Sequence, residues 1–483
     1  MKKNVLLFCA VPTQFQELFL LAQLLKKCDI YNPIFVFDEE QDNKVCYKKC
    51  NTENIDCVSS KNWETLAYNK DHRMVDDKSK INYNLSNIKR LSWLKRQVKN
   101  IIPSVFKNYY RFFRANVEEY RRVTKFISTN RIVDFYDPAV IFVPIETVGY
   151  FFDPVFSYAK QRGIPIIDIP FCFVKAESTV KWFYDLPADI FYHFDANRVL
   201  NKLLLKKFPK WIYEYKGKRI MRANIGWILA SHRYNIEREY PWIDNLGSSK
   251  IVVVESHHFF QLFKKEGIPE NKLRIVGSLQ HDTMYRLLQN REKERLSLCE
   301  ELSLSYSEEI KIILVSLPDE FDFSNRTECE FRTHREIIGA LVSPLNCYKN
   351  IRTVYTLHPR LRYEGVKYLE NDCSKVSLRP ICELLPCSDL FISITSSAIR
   401  LAISCSVPVI NYDVFQYKDE DYEDLGGIIC VNSLQDFVNA VKQVLDNERY
   451  LSQLKLQQEE SSMEWGKPDG LVAERYMSII KEV

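Results

Sequence analysis

Residues 139–171 read AVIFVPIETVGYFFDPVFSYAKQRGIPIIDIPF, and the punctuation of this stretch decides the fold. Its first eight residues form a short apolar run without alternation, as expected of a strand buried on both faces. A helical segment follows from Asp153-Pro154 and stops at Gly163, and 164–171 is a second apolar run. Strand, helix, glycine stop and strand in that order make a parallel βαβ unit. Toward the N-terminus, 4–11 and 32–38 read as two more strands, with a leucine- and phenylalanine-rich helix over 14–28 between them. Toward the C-terminus the pattern resumes at 250 (KIVVVES), 272 (KLRIVGS), 311 (KIILVSLP), 352 (RTVYTLHP), 375 (KVSLRP), 389 (DLFISITSS) and 407 (VPVINYD). Each run leads into a short loop and a helix. Two doubly wound α/β halves are therefore expected, parted near 235–250 where REYPWIDNLGSS collects proline and glycine. Residues 84–126 interrupt the first half with a basic, aromatic helical insertion.

Only 13 of the 483 residues are glycine, where average usage of ~7% would give roughly 34. Neither G-x-G-x-x-G nor G-x-x-x-x-G-K-[ST] occurs, so the glycine-rich ways of cradling phosphate are excluded. Hydrophobic residues at 46% and charged residues at 27% exclude wholesale disorder. A net charge of +4 is too mild for a nucleic-acid binder. The fourteen cysteines are scattered singly, with no C-x-x-C pair and nothing beside Cys46 and Cys50 to complete a zinc site. They are expected to be reduced, small buried hydrophobes of a cytoplasmic protein. The opening MKKNVLLFCAVPTQ breaks at Pro12 without a cleavage signature and reads as a first buried strand rather than a signal peptide. No run approaches the ~18 apolar residues of a membrane span, so the chain is expected to be soluble or at most peripheral.

In open α/β sheets ligands bind outside the carboxyl ends of the strands, so the residues after each strand carry the functional reading. One strand of the second half ends in His358-Pro359-Arg360. An imidazole there can donate to a phosphate oxygen, Pro359 fixes the backbone, and Arg360 can add a charge-assisted bond or point to solvent. A second strand ends in Thr395-Ser396-Ser397 before a helix. Two hydroxyls with backbone N–H groups there can hold an anion without glycine, although Ser396 is equally a helix cap. Ser316, near the end of KIILVSLP, can reach the same phosphate. His-Pro followed about 40 residues later by Ser-Ser places two anion-binding ends on one side of one sheet. The pair suggests a phosphorylated nucleotide in a cleft between two domains.

TLHPR (356–360) and LLPCSDLFISITSSAIRLAISCSVPVINYD (384–413) resemble the C-terminal half of GT-B glycosyltransferases. The His-Pro and Ser-Ser pair resembles the HP and SS motifs of bacterial sialyltransferases and polysialyltransferases, and related motifs of Kdo and CDP-glycerol polymer transferases. VVVESHHFFQLFKKEGIPENKLRIVGSLQHD (252–282) is similar to the stretch opening that domain in GT-B enzymes and UDP-GlcNAc 2-epimerases. The resemblance covers residues 250–450 well, and 1–240 mainly as an arrangement of strands and helices. It implies an α/β GT-B fold, two Rossmann-like doubly wound domains facing an interdomain cleft. An acceptor domain would span 1–245, a nucleotide-sugar domain 246–460, and a last helix in 461–483 would pack back on the first domain.

Carried over by position, His358, Ser396 and Ser397 would hold the phosphate of a CMP-sugar, the phosphate that Ser316 is read above as reaching. Pro359, Arg379, Pro380 and Ile381 would lie near the nucleotide, and Arg360 on the acceptor side. Many GT-B enzymes place a glutamate for the ribose hydroxyls in the helix after Ser-Ser, where this sequence offers Arg400. The implied activity is inverting, metal-independent transfer of an acidic sugar, sialic-acid-like or Kdo, onto a glycan of a bacterial capsule or lipopolysaccharide. The nucleotide sugar is a co-substrate, and no cofactor is expected. A UDP-sugar transferase, a UDP-GlcNAc 2-epimerase-like enzyme and a non-catalytic nucleotide-sugar-binding assembly subunit are the alternatives.

Inverting transfer also needs a base for the acceptor hydroxyl. Glu146, ending AVIFVPIE, is the expected catalytic carboxylate, against a plain role in the first turn of a helix. Asp38, Glu39 and Glu40 read as a solvated turn, Asp168 as a strand residue paired with a neighbour, and DEDYED (419–424) as a solvated loop. His257-His258 would line the cleft or pack at a hinge. Residues 86–126 hold eleven basic and two acidic residues interleaved with Trp93, Phe106, Tyr109, Tyr110, Phe112 and Phe113, and residues 201–222 are similar in character. Three readings stand side by side for them: a face resting on the inner membrane near a lipid-linked glycan acceptor, a groove for an anionic glycan, and a solvated insertion with a packed aromatic face.

Overall fold

The computed structural model describes residues 2–38, 41, 43–60, 104–186, 192–194, 201–203, 206–320, 329–358, 360–417 and 420–483, with the backbone alone for 104–109 and 420. Chain order begins with β1 (Lys3–Cys9), β2 (Tyr31–Phe37), β3 (Asp56–Ser59), β4 (Val140–Val143) and β5 (Ile166–Asp168). A two-stranded antiparallel hairpin of β6 (Ile212–Tyr215) and β7 (Lys218–Met221) precedes β8 (Ile251–Val254) and β9 (Leu273–Ile275). The first sheet runs β3-β2-β1-β4-β5-β8-β9, and its β1–β5 pairs are parallel. The βαβ unit at 139–171 forms as its punctuation implies. Helix Asp153–Gln161 starts with Pro154 in its first turn and Asp153 at the positive end of the dipole. Gly163 stands just past its end at φ +74°, where a side chain would be strained. Phe8 of β1 meets Phe156 of that helix edge to face, with ring centroids 5.4 Å apart.

The second sheet holds β10 (Lys311–Leu317), β11 (Ile351–Leu357), β12 (Ser374–Ser377), β13 (Leu390–Ser393), β14 (Val409–Tyr412) and β15 (Ile428–Val431), all parallel. Their order is β12-β11-β10-β13-β14-β15. Along β10 the side chains alternate between two cores: Ile313, Val315 and Leu317 pack in one, Ile312 and Leu314 in the other. Helices therefore cover both faces, which explains why β10 reads as a continuous apolar run. Each such buried aliphatic side chain contributes roughly 1.5–3 kcal/mol.

The chain forms two compact units, 1–252 with 265–272 and 253–264 with 273–483. The closing helix Val472–Glu482 lies in the second unit, where Asp282 accepts from the Val472 and Ala473 amides at 3.0 and 2.8 Å. None of the fourteen cysteines forms a disulfide. Among the described residues no helix is long and apolar enough to cross a membrane.

Candidate functional site

Strand order places the site. From β10 the second sheet is wound one way through β11 and β12 and the other way through β13, β14 and β15, so the switch point lies between β10 and β13. The registers Leu317↔Leu357 and Val315↔Ile392 align the strand ends. Residue 358 after β11 and residue 395 after β13 thus flank residue 318 at one level, about 10 Å apart across two strand spacings.

His358 follows β11 directly, with about a third of its side chain exposed. Its Nδ1 lies 3.4 Å from Oδ2 of Asp319, a carboxylate only 4% exposed, and the Arg360 amide donates to the same Nδ1 at 3.3 Å. Arg360 is itself exposed, and its Nη1 lies 3.1 Å from Asp319 Oδ2. Pro359 lies outside the described residues. Ser316 is half-buried and sits inside β10, opposite Thr356, rather than in the loop beyond it.

At the other end Thr395 stands at φ +35°, a left-handed conformation that is costly for a β-branched residue. Neighbouring polar groups hold it there. Its amide donates to Asn411 Oδ1 at 2.9 Å, and its hydroxyl lies 3.3 Å from Asp413 Oδ1, which also accepts from the Tyr417 amide at 2.8 Å. Beyond this turn Ser396 Oγ accepts from the Ala398 amide at 3.2 Å, a bond within the turn that precedes the helix, while Ser397 is exposed. Helix Ile399–Ser404 has only six residues. Arg400 pairs with Glu255, Nε to Oε2 3.1 Å, both in the second unit. Burial pushes the Glu255 carboxyl above its ordinary range and Arg400 partly restores it. Arg379 pairs with Glu301, Nε to Oε2 2.8 Å, Pro380 precedes the turn Ile381–Leu384, and Ile381 packs on the core.

Glu146 lies in the first unit and is almost fully buried, at 1% exposure. The Ser248 and Ser249 amides donate to its carboxylate at 2.7 and 2.5 Å, and the Ser249 hydroxyl adds a third bond. Its carbonyl accepts from Arg238 Nη1 and the Asn245 amide, both at 2.8 Å. A Cβ at Gly247 would overlap Glu146 Oε2, so glycine is required there. Arg238 also pairs with buried Asp153. The arrangement is an anchor that holds residues 245–249 to the end of β4. Asp168, deep in the same unit, is pushed well above the carboxylate range by burial and next by the Glu146 charge.

The remaining expectations find plain places. His258 stacks on Trp465 at 3.9 Å. Helix Ser104–Ser128 buries Phe112 and exposes Tyr110 and Phe113, while 84–103 and the side chains of Phe106 and Tyr109 lie outside the described residues. The β6–β7 hairpin sets Lys218 over Tyr184 at 4.5 Å. Glu39, Glu40 and Asp419 also lie outside the described residues. Among those described, no group of three or more His, Cys, Asp or Glu is arranged to hold a metal ion.

No family model and no curated protein matches the sequence. Solved structures do match over the whole chain. A UDP-GlcNAc 2-epimerase from Neisseria meningitidis bound to UDP-GlcNAc is similar at TM-score 0.50 and 12% identity, over 98% of this chain and 100% of that one. The glycosyltransferase of kitacinnamycin is similar at 0.51 and 12%, over 99% of each chain. The wall teichoic acid polymerase TagF is similar at 0.52 and 10%, over 100% of this chain and 88% of that one. The fold is GT-B. Both units of this GT-B chain are Rossmann-like, and the strand ends described above are those of its second unit.

Asp319, Asn411 and Asp413 escaped the sequence reading. Asp319 had a legible signal, an acidic residue two positions past a buried strand. Asn411 and Asp413 had none, since they act on Thr395 from the neighbouring strand.

Proposed function

We propose that the chain is a glycosyltransferase that takes a nucleotide sugar at the carboxyl ends of β10, β11 and β13. The observation carrying this reading is that His358 and the Thr395–Ser397 turn flank the switch point of the second sheet at one level. His358 and the Ser397 hydroxyl supply donors to the departing phosphate, and Ser396 completes the turn. The favoured co-substrate is a CMP-activated acidic sugar, on the strength of the His-Pro and Ser-Ser resemblance. In that reaction an acceptor glycan hydroxyl attacks the anomeric carbon with inversion and without a metal, its proton passing to solvent as the new bond forms. The bond to the phosphate oxygen breaks, and CMP leaves with the electron pair while His358 stabilises its charge. We assign Glu146 to anchoring the 245–249 loop, because its carboxylate already accepts three bonds.

The fold is shared with a UDP-GlcNAc 2-epimerase, so the decisive experiment compares nucleotides. Thermal unfolding is followed while CMP or UDP is titrated, and the proposal expects CMP to raise the midpoint at lower concentration. Stabilisation by UDP alone redirects the reading to a UDP-sugar enzyme. Stabilisation by neither overturns it.

A further inference from the structure

Four of the fourteen cysteines gather at one edge of the first sheet. Cys9 ends β1 and Cys57 lies on β3, the edge strand, while Cys46 and Cys50 stand one turn apart on helix Lys44–Thr52. Strand pairing puts Cys9 and Cys57 on one face, since Cys9 is level with Phe37 of β2 and Cys57 with Phe35, two residues back. The helix joins β3 through a tight turn, in which Asn54 stands at φ +51° and the Ile55 amide donates to the Cys50 carbonyl at 2.9 Å. This turn brings two thiols together, and the Cys50 S–H donates to the Cys57 sulfur. We infer that Cys50 and Cys57 are a reversible dithiol–disulfide pair, a modification site that a hydroperoxide closes. Their surroundings give them unequal roles. Cys57 is half-buried on an edge strand, within reach of a small oxidant, whereas Cys50 is fully buried. The Cys50 hydrogen bond holds the Cys57 thiol below its ordinary value, against burial and the Asp56 charge, and the same bond with burial raises Cys50. Burial also pushes Cys9 up, and Cys46 to about 11, so these two stay protonated and are poor nucleophiles. The Cys57 thiolate attacks one peroxide oxygen, the O–O bond breaks, and a sulfenic acid forms as hydroxide leaves. The Cys50 sulfur then attacks the Cys57 sulfur, the S–O bond breaks, and the departing hydroxide takes the Cys50 proton as water. The first hydroxide takes up the proton that Cys57 had lost to solvent. Both thiols are thus oxidised and the peroxide is reduced to two waters. The product closes a ring over residues 50–57 and fastens the helix to the edge strand.

The test titrates the reduced, full-length protein with hydrogen peroxide, then alkylates the remaining thiols with N-ethylmaleimide in denaturant. Trypsin cuts after Lys49 and Lys61 and so releases Cys50 and Cys57 together in the peptide 50–61. That peptide is expected unalkylated and lighter by two hydrogen atoms. Cleavage at Glu53 should leave its two pieces linked until dithiothreitol parts them. In Cys50→Ser, Cys57 is expected to run on to the sulfinic acid, because no thiol remains to trap the sulfenic acid. In Cys57→Ser, Cys50 should stay reduced at the peroxide dose that closes the wild type. Three wild-type outcomes overturn the inference, and none requires a variant to fold. In the first, both thiols of the peptide stay reduced at doses that oxidise the exposed Cys347 and Cys373. In the second, Cys57 overoxidises while Cys50 remains a thiol. In the third, Cys50 is linked to Cys46 instead. The same titration in urea separates native pairing from mere closeness in sequence. The folded protein is expected to close the pair at a several-fold lower dose, and equal doses overturn the inference.

Discussion

Glu146 and His358 both stand past the carboxyl end of a parallel strand, β4 in the first sheet and β11 in the second. Each follows a parallel strand of a Rossmann-like layer, and each is the residue its sequence context singles out for chemistry. Their surroundings differ. Glu146 is buried, and its carboxylate is bound by Ser248 and Ser249. His358 keeps about a third of its side chain exposed and is held by Asp319 at one edge of the ring. A strand end therefore supplies a place for chemistry, and the hydrogen-bond partners decide whether the group there serves a ligand or the fold. The Glu146 carboxylate is engaged by three donors within the protein, whereas His358 keeps part of its ring at the surface.

The comparison breaks most sharply under paired substitution. His358→Ala is expected to lower transfer by about 100-fold or more while denaturant midpoints stay near wild type. Glu146→Ala is expected to do the reverse first. It leaves the Ser248 and Ser249 amides and the Ser249 hydroxyl without their acceptor in a buried place, at about 3 kcal/mol or more. Urea unfolding and activity measured on both variants decide the matter. A stable Glu146→Ala protein that transfers nothing would return the carboxylate to the reaction and invert the contrast.

Much of the fold was legible in the sequence because buried parallel strands announce themselves. The run KIILVSL is apolar on both faces since helices cover both, and Gly163 marks the helix end because the backbone there turns left-handed. Strand order was not legible: no local pattern reveals that β13 lies beside β10, which is what brings residues 358 and 395 to one level. At the site, His358 and Ser396-Ser397 could be named because residue type and position suffice. Asn411 and Asp413 could not, since their role is to hold a strained Thr395 on a neighbouring strand. Glu146 was legible as a carboxylate after a strand, but its partners stand a hundred residues away and no spacing rule connects them.

A third carboxylate sharpens the closed side of the comparison. Asp389 opens β13 at the end of the sheet opposite His358, held by Arg291 Nη2 at 2.8 Å, Arg295 Nη1 at 2.9 Å and the Ile312 amide at 2.8 Å. Burial pushes its carboxyl up, but Arg295 and Arg291 outweigh it and the folded group lies below the ordinary range. A depressed folded value means that its contribution is complete above the unfolded value, about 3.9, and is lost as pH falls through the folded one. Asp389→Asn is expected to cost about 2–3 kcal/mol at neutral pH and to flatten the stability profile below about pH 4. Urea midpoints across that range check this, and an unchanged acid limb would remove Asp389 from the closed class.

The smallest effect divides two adjacent serines. Ser396 Oγ accepts from the Ala398 amide within its turn, whereas Ser397 is exposed. If the open side of the comparison is correct, the two hydroxyls separate by assay. Ser396→Ala should lose about 1 kcal/mol of stability, the usual net worth of one intramolecular hydrogen bond. Ser397→Ala should unfold like the wild type and bind the stabilising nucleotide about five-fold more weakly, which corresponds to roughly 1 kcal/mol for one hydrogen bond. Thermal unfolding with and without nucleotide measures both quantities on the same samples. Should Ser397→Ala bind as well as the wild type, the phosphate would have to be held from the His358 side alone, and the two strand ends would no longer act together.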